Sequence, residues 1–255
     1  MHTIYIIIFF IFGLFFGSFL TVVGQRLPRK ENFITTRSYC DNCKHQLSFL
    51  DMIPVVSYYL LNRKCRYCKK EIDSLSTYME MFTGVLFALS YYVFGFSYNL
   101  LISLGIVCML IIISVSDIAY YIIPDELLVF FSIYFLIIYL INNGIIDVLL
   151  RISSGIALFS IMYLIYILGN ILFKKESLGG GDIKMMFVFG LIIDPILGIL
   201  CIFISSFLAL PISLNILRKR NQKLVPFGPF LLISLLLVFA TKITYIDVLN
   251  FLKGF

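Results

Sequence analysis

Residues 4–23 read IYIIIFFIFGLFFGSFLTVV, twenty positions without a charge. A helix rises about 1.5 Å per residue and the hydrocarbon core of a bilayer is about 30 Å thick, so this run has the length and chemistry of a membrane-spanning helix. It reads as a first span and not as a cleaved signal peptide. No basic residue precedes it, it is longer than the usual apolar core of a signal, and Gly24-Gln25-Arg26 makes a poor cleavage site. Working outward, further apolar runs cover Thr77 to Phe94, Tyr98 to Val115, Leu127 to Ile141, Val148 to Phe173, Ile183 to Ile193, Ile196 to Leu217 and Phe230 to Ile246. The expected fold is an all-α polytopic membrane protein of about eight transmembrane helices, within a range of six to eight. The range reflects Asp194-Pro195, where a helix should break, and the short run 183–193, which could be re-entrant. Residues 1–23 are then the first span, 24–76 a polar loop, and 77–255 a multi-helix membrane domain.

Composition supports this class. The 255 residues have a mean hydropathy of +1.02, with 61% hydrophobic and 13% charged residues, against about 25% charged in soluble domains. Soluble, disordered and small disulfide-stapled classes are all excluded on these grounds. The net charge of +6 would suggest nucleic acid only if its basic residues clustered on a folded surface. Instead they sort by loop. Ten lie between Gly24 and Ser76, and with eight spans the same side collects Lys174, Lys175, Lys184, Arg218, Lys219, Arg220 and Lys223, making 17 of the 20. Basic residues in short flanking loops mark the cytoplasmic side. The expected orientation therefore places the N-terminus outside and the 24–76 loop in the cytoplasm, with the bilayer and not nucleic acid as partner.

Four of the six cysteines fall in that loop, as Cys40-Asp41-Asn42-Cys43 and Cys65-Arg66-Tyr67-Cys68 with 21 residues between the pairs. A two-residue gap lets two thiolates converge on one ion, and two such knuckles close a tetrahedral site with no open position, so Cys40, Cys43, Cys65 and Cys68 are expected to hold a structural Zn2+. Disulfides are the competing reading, disfavoured by a reducing cytoplasm. Cys108 and Cys201 stand alone in apolar runs and read as small hydrophobes.

Two carboxylates are placed at membrane depth. Asp117 follows directly on the apolar run 98–115, and Asp182 opens the run 183–193 behind Gly179, Gly180 and Gly181. Burying an ionisable group is expensive, so such residues are candidates for function. In the eight-span arrangement both fall at the cytoplasmic ends of their helices and can meet. Two carboxylates sharing a low-dielectric site hold one proton between them near neutral pH, the requirement for aspartic proteolysis. The bland alternative is helix capping, which suits Asp182 at a helix start and is opposed by the helix dipole for Asp117 at a helix end. A cation-coupled transporter is the other functional reading. It should show an internal repeat with broken helices, and none is visible.

Gly179-Gly180-Gly181-Asp182 is a GxGD motif. Together with Gly17-Ser18-Phe19, Arg26-Leu27-Pro28, the two CxxC pairs flanking Leu47 to Tyr58, Tyr78-Met79-Glu80, Ile123-Pro124-Asp125 and Val225-Pro226-Phe227-Gly228-Pro229-Phe230, it makes the chain resemble the type IV prepilin peptidases over nearly its whole length. The resemblance implies a polytopic GxGD aspartic protease of a prokaryotic cytoplasmic membrane, with Asp117 and Asp182 as catalytic residues. It implies type IV prepilins or pseudopilins as substrates, cut on the cytoplasmic side to release a short basic leader. It further implies N-methylation of the new N-terminus from S-adenosylmethionine, an activity associated with the cytoplasmic region. Pro226, Phe227, Gly228 and Pro229 are expected to form a loop near the site or, on the bland reading, a turn before the last helix. The chain departs from the family at Thr21, where many members carry Asn.

Overall fold

The computed structural model describes residues 2–32, 37–40, 42–173, 179–218 and 225–253. Asp41, Lys174, Lys175, Glu176, Lys219, Arg220 and Lys223, several of which enter the orientation argument, lie outside the described residues. Among the described residues there are ten α-helices: α1 (His2–Arg26), α2 (Val56–Leu60), α3 (Leu75–Phe94), α4 (Tyr98–Tyr120), α5 (Asp125–Asn143), α6 (Ile145–Phe173), α7 (Gly180–Ile192), α8 (Pro195–Arg218), α9 (Gly228–Thr241) and α10 (Tyr245–Lys253). Among the described residues five helices are long and apolar enough to cross a membrane: His2–Arg29, Tyr98–Tyr120, Asp125–Asn143, Ile145–Leu172 and Pro195–Asn215.

Helix boundaries follow local chemistry. Gly95 and Gly144 end α3 and α5 with φ of 57° and 86°, conformations that cost glycine little. At the other end of α5, Asp125 and Glu126 occupy the first turn, where the helix dipole favours anions. The expected break at Asp194-Pro195 is present, because Ile193 is extended and Pro195 opens α8. The last apolar run departs from the continuous span expected over 230–246. Lys242 turns left-handed at φ 55°, ending α9 after 14 residues, and Thr244 starts α10 by donating through its backbone and hydroxyl to Asp247 Oδ2 at 2.9 and 2.6 Å. A threonine and an aspartate three residues apart satisfy the free amides of a helix start, which hydropathy alone does not register.

Lipid tails are as apolar as leucine, so these helices are held by close packing more than by exclusion of water. Small residues make that possible at three crossings. A Cβ at Gly13 would lie 2.7 Å from Gly84 Cα and one at Gly17 would lie 2.8 Å from Glu80 Cα, so α1 lies directly on the α3 backbone. Gly24 brings α1 equally close to Ile112 and Val115 of α4. Gly190 on α7 meets Gly155 on α6 backbone to backbone, at 2.5 Å for the same construction. The interior is built around α4 and α7. Ile102, Ile106, Met109, Ile111 and Ile113 on α4 are fully buried, as are Met185, Met186 and Phe189 on α7. The short run 183–193 is therefore a central helix sheathed by its neighbours, about 20 Å long at 1.5 Å per residue.

Candidate active site and metal centre

Asp117 lies one turn before the end of α4, and its carbonyl accepts the closing amide of Tyr121 at 2.9 Å. Tyr121 is left-handed, and from there the chain doubles back through Ile122, Ile123 and Pro124 into α5, fastened by the Ser116 hydroxyl on the Ile122 carbonyl. Asp182 sits in the first turn of α7. Both carboxylates are buried, each side chain belonging to a residue 7% exposed, and they stand within Coulombic reach of one another. Ile123 is the spacer between their supports. A Cβ at Gly181 would lie 2.8 Å from Ile123 Cβ, and one at Gly228 would lie 3.1 Å from Asp117 Oδ2 and 3.4 Å from Ile123 Cδ1. Gly228 donates its backbone N–H to Asp117 Oδ2 at 3.1 Å. The Pro226–Pro229 segment thus reaches Asp117 through Gly228. Among the described residues, Asp182 Oδ1 is the buried side-chain oxygen or nitrogen without a hydrogen-bond partner. An acceptor left so is an open position for a water or a reacting group.

The same geometry accounts for the spacing of GxGD. A side chain at Gly179 would press on Asp182 Oδ2 at 3.2 Å and one at Gly181 would strike Ile123, whereas Gly180 faces open space. Contact with Ile123 requires glycine at 181, a side chain at 179 would crowd the Asp182 carboxylate, and the residue between them is free. Lys184, one turn further, grips both oxygens of Asp125 at 2.8 and 2.7 Å and ties the start of α7 to the start of α5.

The four loop cysteines gather as expected, with their sulfurs all within 4.8 Å of one another. The two pairs are local copies. Cys40 N–H donates to the His45 carbonyl and Lys44 N–H returns to the Cys40 carbonyl, while Cys65 N–H donates to Lys70 and Lys69 N–H returns to Cys65. Lys44 and Lys69 are both left-handed, at φ 57° and 59°. Each knuckle thereby turns its thiols toward the other. Cys40 and Cys68 sulfurs lie 3.9 Å apart, and sulfurs on a tetrahedral ion with bonds of about 2.3 Å would be separated by about 3.8 Å. The Cys43 backbone N–H draws the Cys40 thiol down to about 7. Against the pull of the His45 amide, desolvation and the other three sulfurs push Cys43 up to about 11. Crowded thiols that resist losing successive protons are what a cation relieves. His45 stacks on Tyr67 with ring centres 3.7 Å apart and stands outside the sulfur cluster.

Residues 11–94 match the family model described as the bacterial peptidase A24 N-terminal domain, and residues 104–214 match that of the type IV leader peptidase family. Similar proteins include the prepilin leader peptidase/N-methyltransferase of Vibrio cholerae, 31% identical over 94% of this chain and 98% of its own. That of Bacillus subtilis is 31% identical over 73% of each chain, and that of Aeromonas hydrophila 26% identical over 98% of this chain and 96% of its own. The chain belongs to the type IV leader peptidase family. It is a membrane-embedded peptidase. No solved structure matches it.

Reading the leader peptidase sequence for chemistry passes over one buried acid, Glu80 in α3. Its residue is 7% exposed, and Oε2 accepts the Val55 backbone N–H at 2.8 Å. Val55 has φ 61° and ψ −49°, a conformation that costs a β-branched residue on the order of 1–3 kcal/mol and persists only when its surroundings impose it. The sequence signal was present, since Glu80 is the sole charge in the run 77–94. Thr21, the departure from the family pattern, is buried with its hydroxyl on the Gly17 carbonyl at 2.7 Å, so it spends its hydrogen bond inside α1.

Proposed function

We propose that this leader peptidase is an aspartic endopeptidase that cuts the basic leader from type IV prepilins or pseudopilins at the cytoplasmic face of a prokaryotic inner membrane, with Asp117 and Asp182 as its catalytic pair. The observation that carries the reading is the juxtaposition of two buried carboxylates on separate helices, one held by the Gly228 amide and the other with an oxygen left open. Buried side by side, they hold one proton between them. The ionised member takes a proton from a water as that water attacks the scissile carbonyl, and the protonated member donates to the carbonyl oxygen. Collapse of the tetrahedral adduct breaks the C–N bond, and the proton gained by the base passes to the leaving amine. The pair titrates as a unit, so the starting roles belong to the dyad and not to either residue. The ten basic residues of the 24–76 loop and the placement of Lys184 support an orientation with the N-terminus outside and both carboxylates near the cytoplasm. A prepilin's apolar helix can then lie in the bilayer against the enzyme while its leader stays on the basic side.

Two further parts complete the reading. The thiol cluster suits Zn2+, with Cys40, Cys43, Cys65 and Cys68 as a closed structural site. The relatives are named N-methyltransferases as well as peptidases, which supports methylation of the new N-terminus from S-adenosylmethionine. Purified enzyme incubated with a prepilin from the same genome, followed by mass spectrometry, tests both activities. The expected products are a shortened pilin and, with S-adenosylmethionine added, one heavier by a methyl group. Asp117→Asn and Asp182→Asn should each abolish cleavage in a protein that still inserts; normal cleavage by either would overturn the dyad.

A further inference from the structure

We propose that residues 49–60 moor the cysteine loop to the membrane: the face they expose lies in the leaflet that α1 leaves at Arg26, among headgroups and upper acyl chains, with anionic lipid against its basic flank. For a loop in water this stretch is inside out. It consists of a short 3-10 turn, Phe49–Met52, packed on α2. In the turn Phe49 is 76% exposed and Leu50 61%, whereas the side chain of Asp51 is only 2% exposed, turned back onto Ser48 and Arg66. In α2 the exposed apolar residues are Val56, Tyr59 and Leu60, a spacing that sets them on one side of the helix. An acid turned inward beside an outward apolar face is the pattern of a surface that meets something other than water.

The level at which this stretch is anchored identifies its partner as lipid. Val55, which leads into α2, donates its N–H to Glu80 Oε2 at 2.8 Å. Glu80 sits where α3 crosses Gly17 of α1, since a Cβ at Gly17 would lie 2.8 Å from Glu80 Cα. Gly17 is inside the uncharged run 4–23, about 9 Å along the helix axis from its end at Val23. Val55 is therefore fastened within the apolar run and not beyond it, at the depth of about 5–10 Å to which interfacial helices bury their apolar faces. Near the same level α1 exposes Phe19 and α3 exposes Tyr78. Backbone at this depth needs internal partners, and the amides of Val56, Ser57 and Tyr59 donate to the Pro54, Ile53 and Val55 carbonyls while Glu80 serves Val55. Shortly after α2 come Arg63 and Lys64, then Lys69 and Lys70, all exposed; basic residues beside an apolar interfacial face attract anionic headgroups. The same basic flank repels a basic prepilin leader, so the charge favours lipid over substrate as the occupant.

The test uses the full chain, which contains no tryptophan, reconstituted in vesicles of phosphatidylcholine and phosphatidylglycerol. Phe49→Trp and Leu60→Trp each place a single indole on the face, and both variants should cleave prepilin within about twofold of wild type, since each replaces one exposed apolar side chain by another. Lipids brominated near the glycerol end of their chains should remove roughly half of the emission in both variants, at the depth of an interfacial face, and lipids brominated near the methyl end should remove less. Phe12→Trp, exposed in the middle of α1, should show the opposite order. Emission at positions 49 and 60 that is quenched by aqueous acrylamide and untouched by either brominated lipid would overturn the proposal, leaving the face in water. Protection from both kinds of quencher would overturn it in favour of a second copy of the chain. Lipid quenching that disappears when prepilin is added would overturn it in favour of a substrate dock.

Discussion

A methyl group added at Gly181 would press on Ile123, the residue that spaces the supports of the two aspartates, whereas one added at Gly180 would meet nothing within 4 Å. Two neighbouring glycines should therefore respond in opposite ways to the same change. Gly181→Ala is expected to lower the cleavage rate by roughly 10- to 100-fold, since displacement of a reacting group by about 1 Å is worth up to about 10²-fold. Gly180→Ala should cleave within about twofold of wild type, with at most a small gain in helix propensity at the start of α7. Steady-state cleavage of a prepilin peptide distinguishes the two, and equal loss in both variants would show that the motif serves backbone conformation instead of contact. The GxGD pattern is legible in the sequence as a motif. The reason that its middle position is free is not, because Ile123 is brought there by the turn after α4.

At the scale of elements, the cysteine loop is two short knuckles with little apolar core of their own, so the ion should be a large part of what orders them. Cys40→Ser with Cys65→Ser should remove about one equivalent of zinc per chain and make the segment between α1 and α3 more susceptible to limited proteolysis. Unchanged metal content by elemental analysis would count against the site. Between the knuckles, Asp51 accepts from the Ser48 amide and hydroxyl at 3.1 and 2.7 Å and from Arg66 Nε at 2.6 Å. Although desolvation opposes ionisation, those Ser48 and Arg66 contacts outweigh it and hold the Asp51 carboxyl below its usual range. A depressed acid adds stability above its unfolded value, about 3.9, and that contribution is lost as pH falls through the folded value. Hydrogen exchange at residues 48–52 should quicken on acidification below about pH 4, and Asp51→Asn should exchange quickly throughout without that step. The eight long apolar runs were visible as elements in the sequence, and seven form helices close to the expected limits. The eighth divides at Lys242, because a local cap at Thr244 and Asp247 competes successfully with continued helix.

For the whole molecule, the central question is how two carboxylates far apart in the chain come to share one place. Glycine contacts fix the helix crossings, and one of them holds α6 on α7 backbone to backbone through Gly155 and Gly190. Gly190→Leu should separate these helices, lower the midpoint of thermal unfolding in detergent by several degrees and reduce cleavage, since Asp182 rides on α7. The substitution Ile146→Leu on the exposed face of α6 is its control and should change neither. From the sequence alone came the membrane class, the thiol set, the orientation signal and the two aspartates, because each rests on local chemistry: length of apolar runs, paired cysteines two residues apart, and charges out of place in an apolar segment. The tertiary structure decided that Gly228 would serve Asp117, that Ile123 would stand between the supports of the pair, and that Glu80 would hold a strained Val55. Those facts depend on contacts between residues 25 to 111 positions apart. Such contacts form only where small residues let the helix backbones meet, and a linear pattern of hydropathy does not encode which small residue faces which.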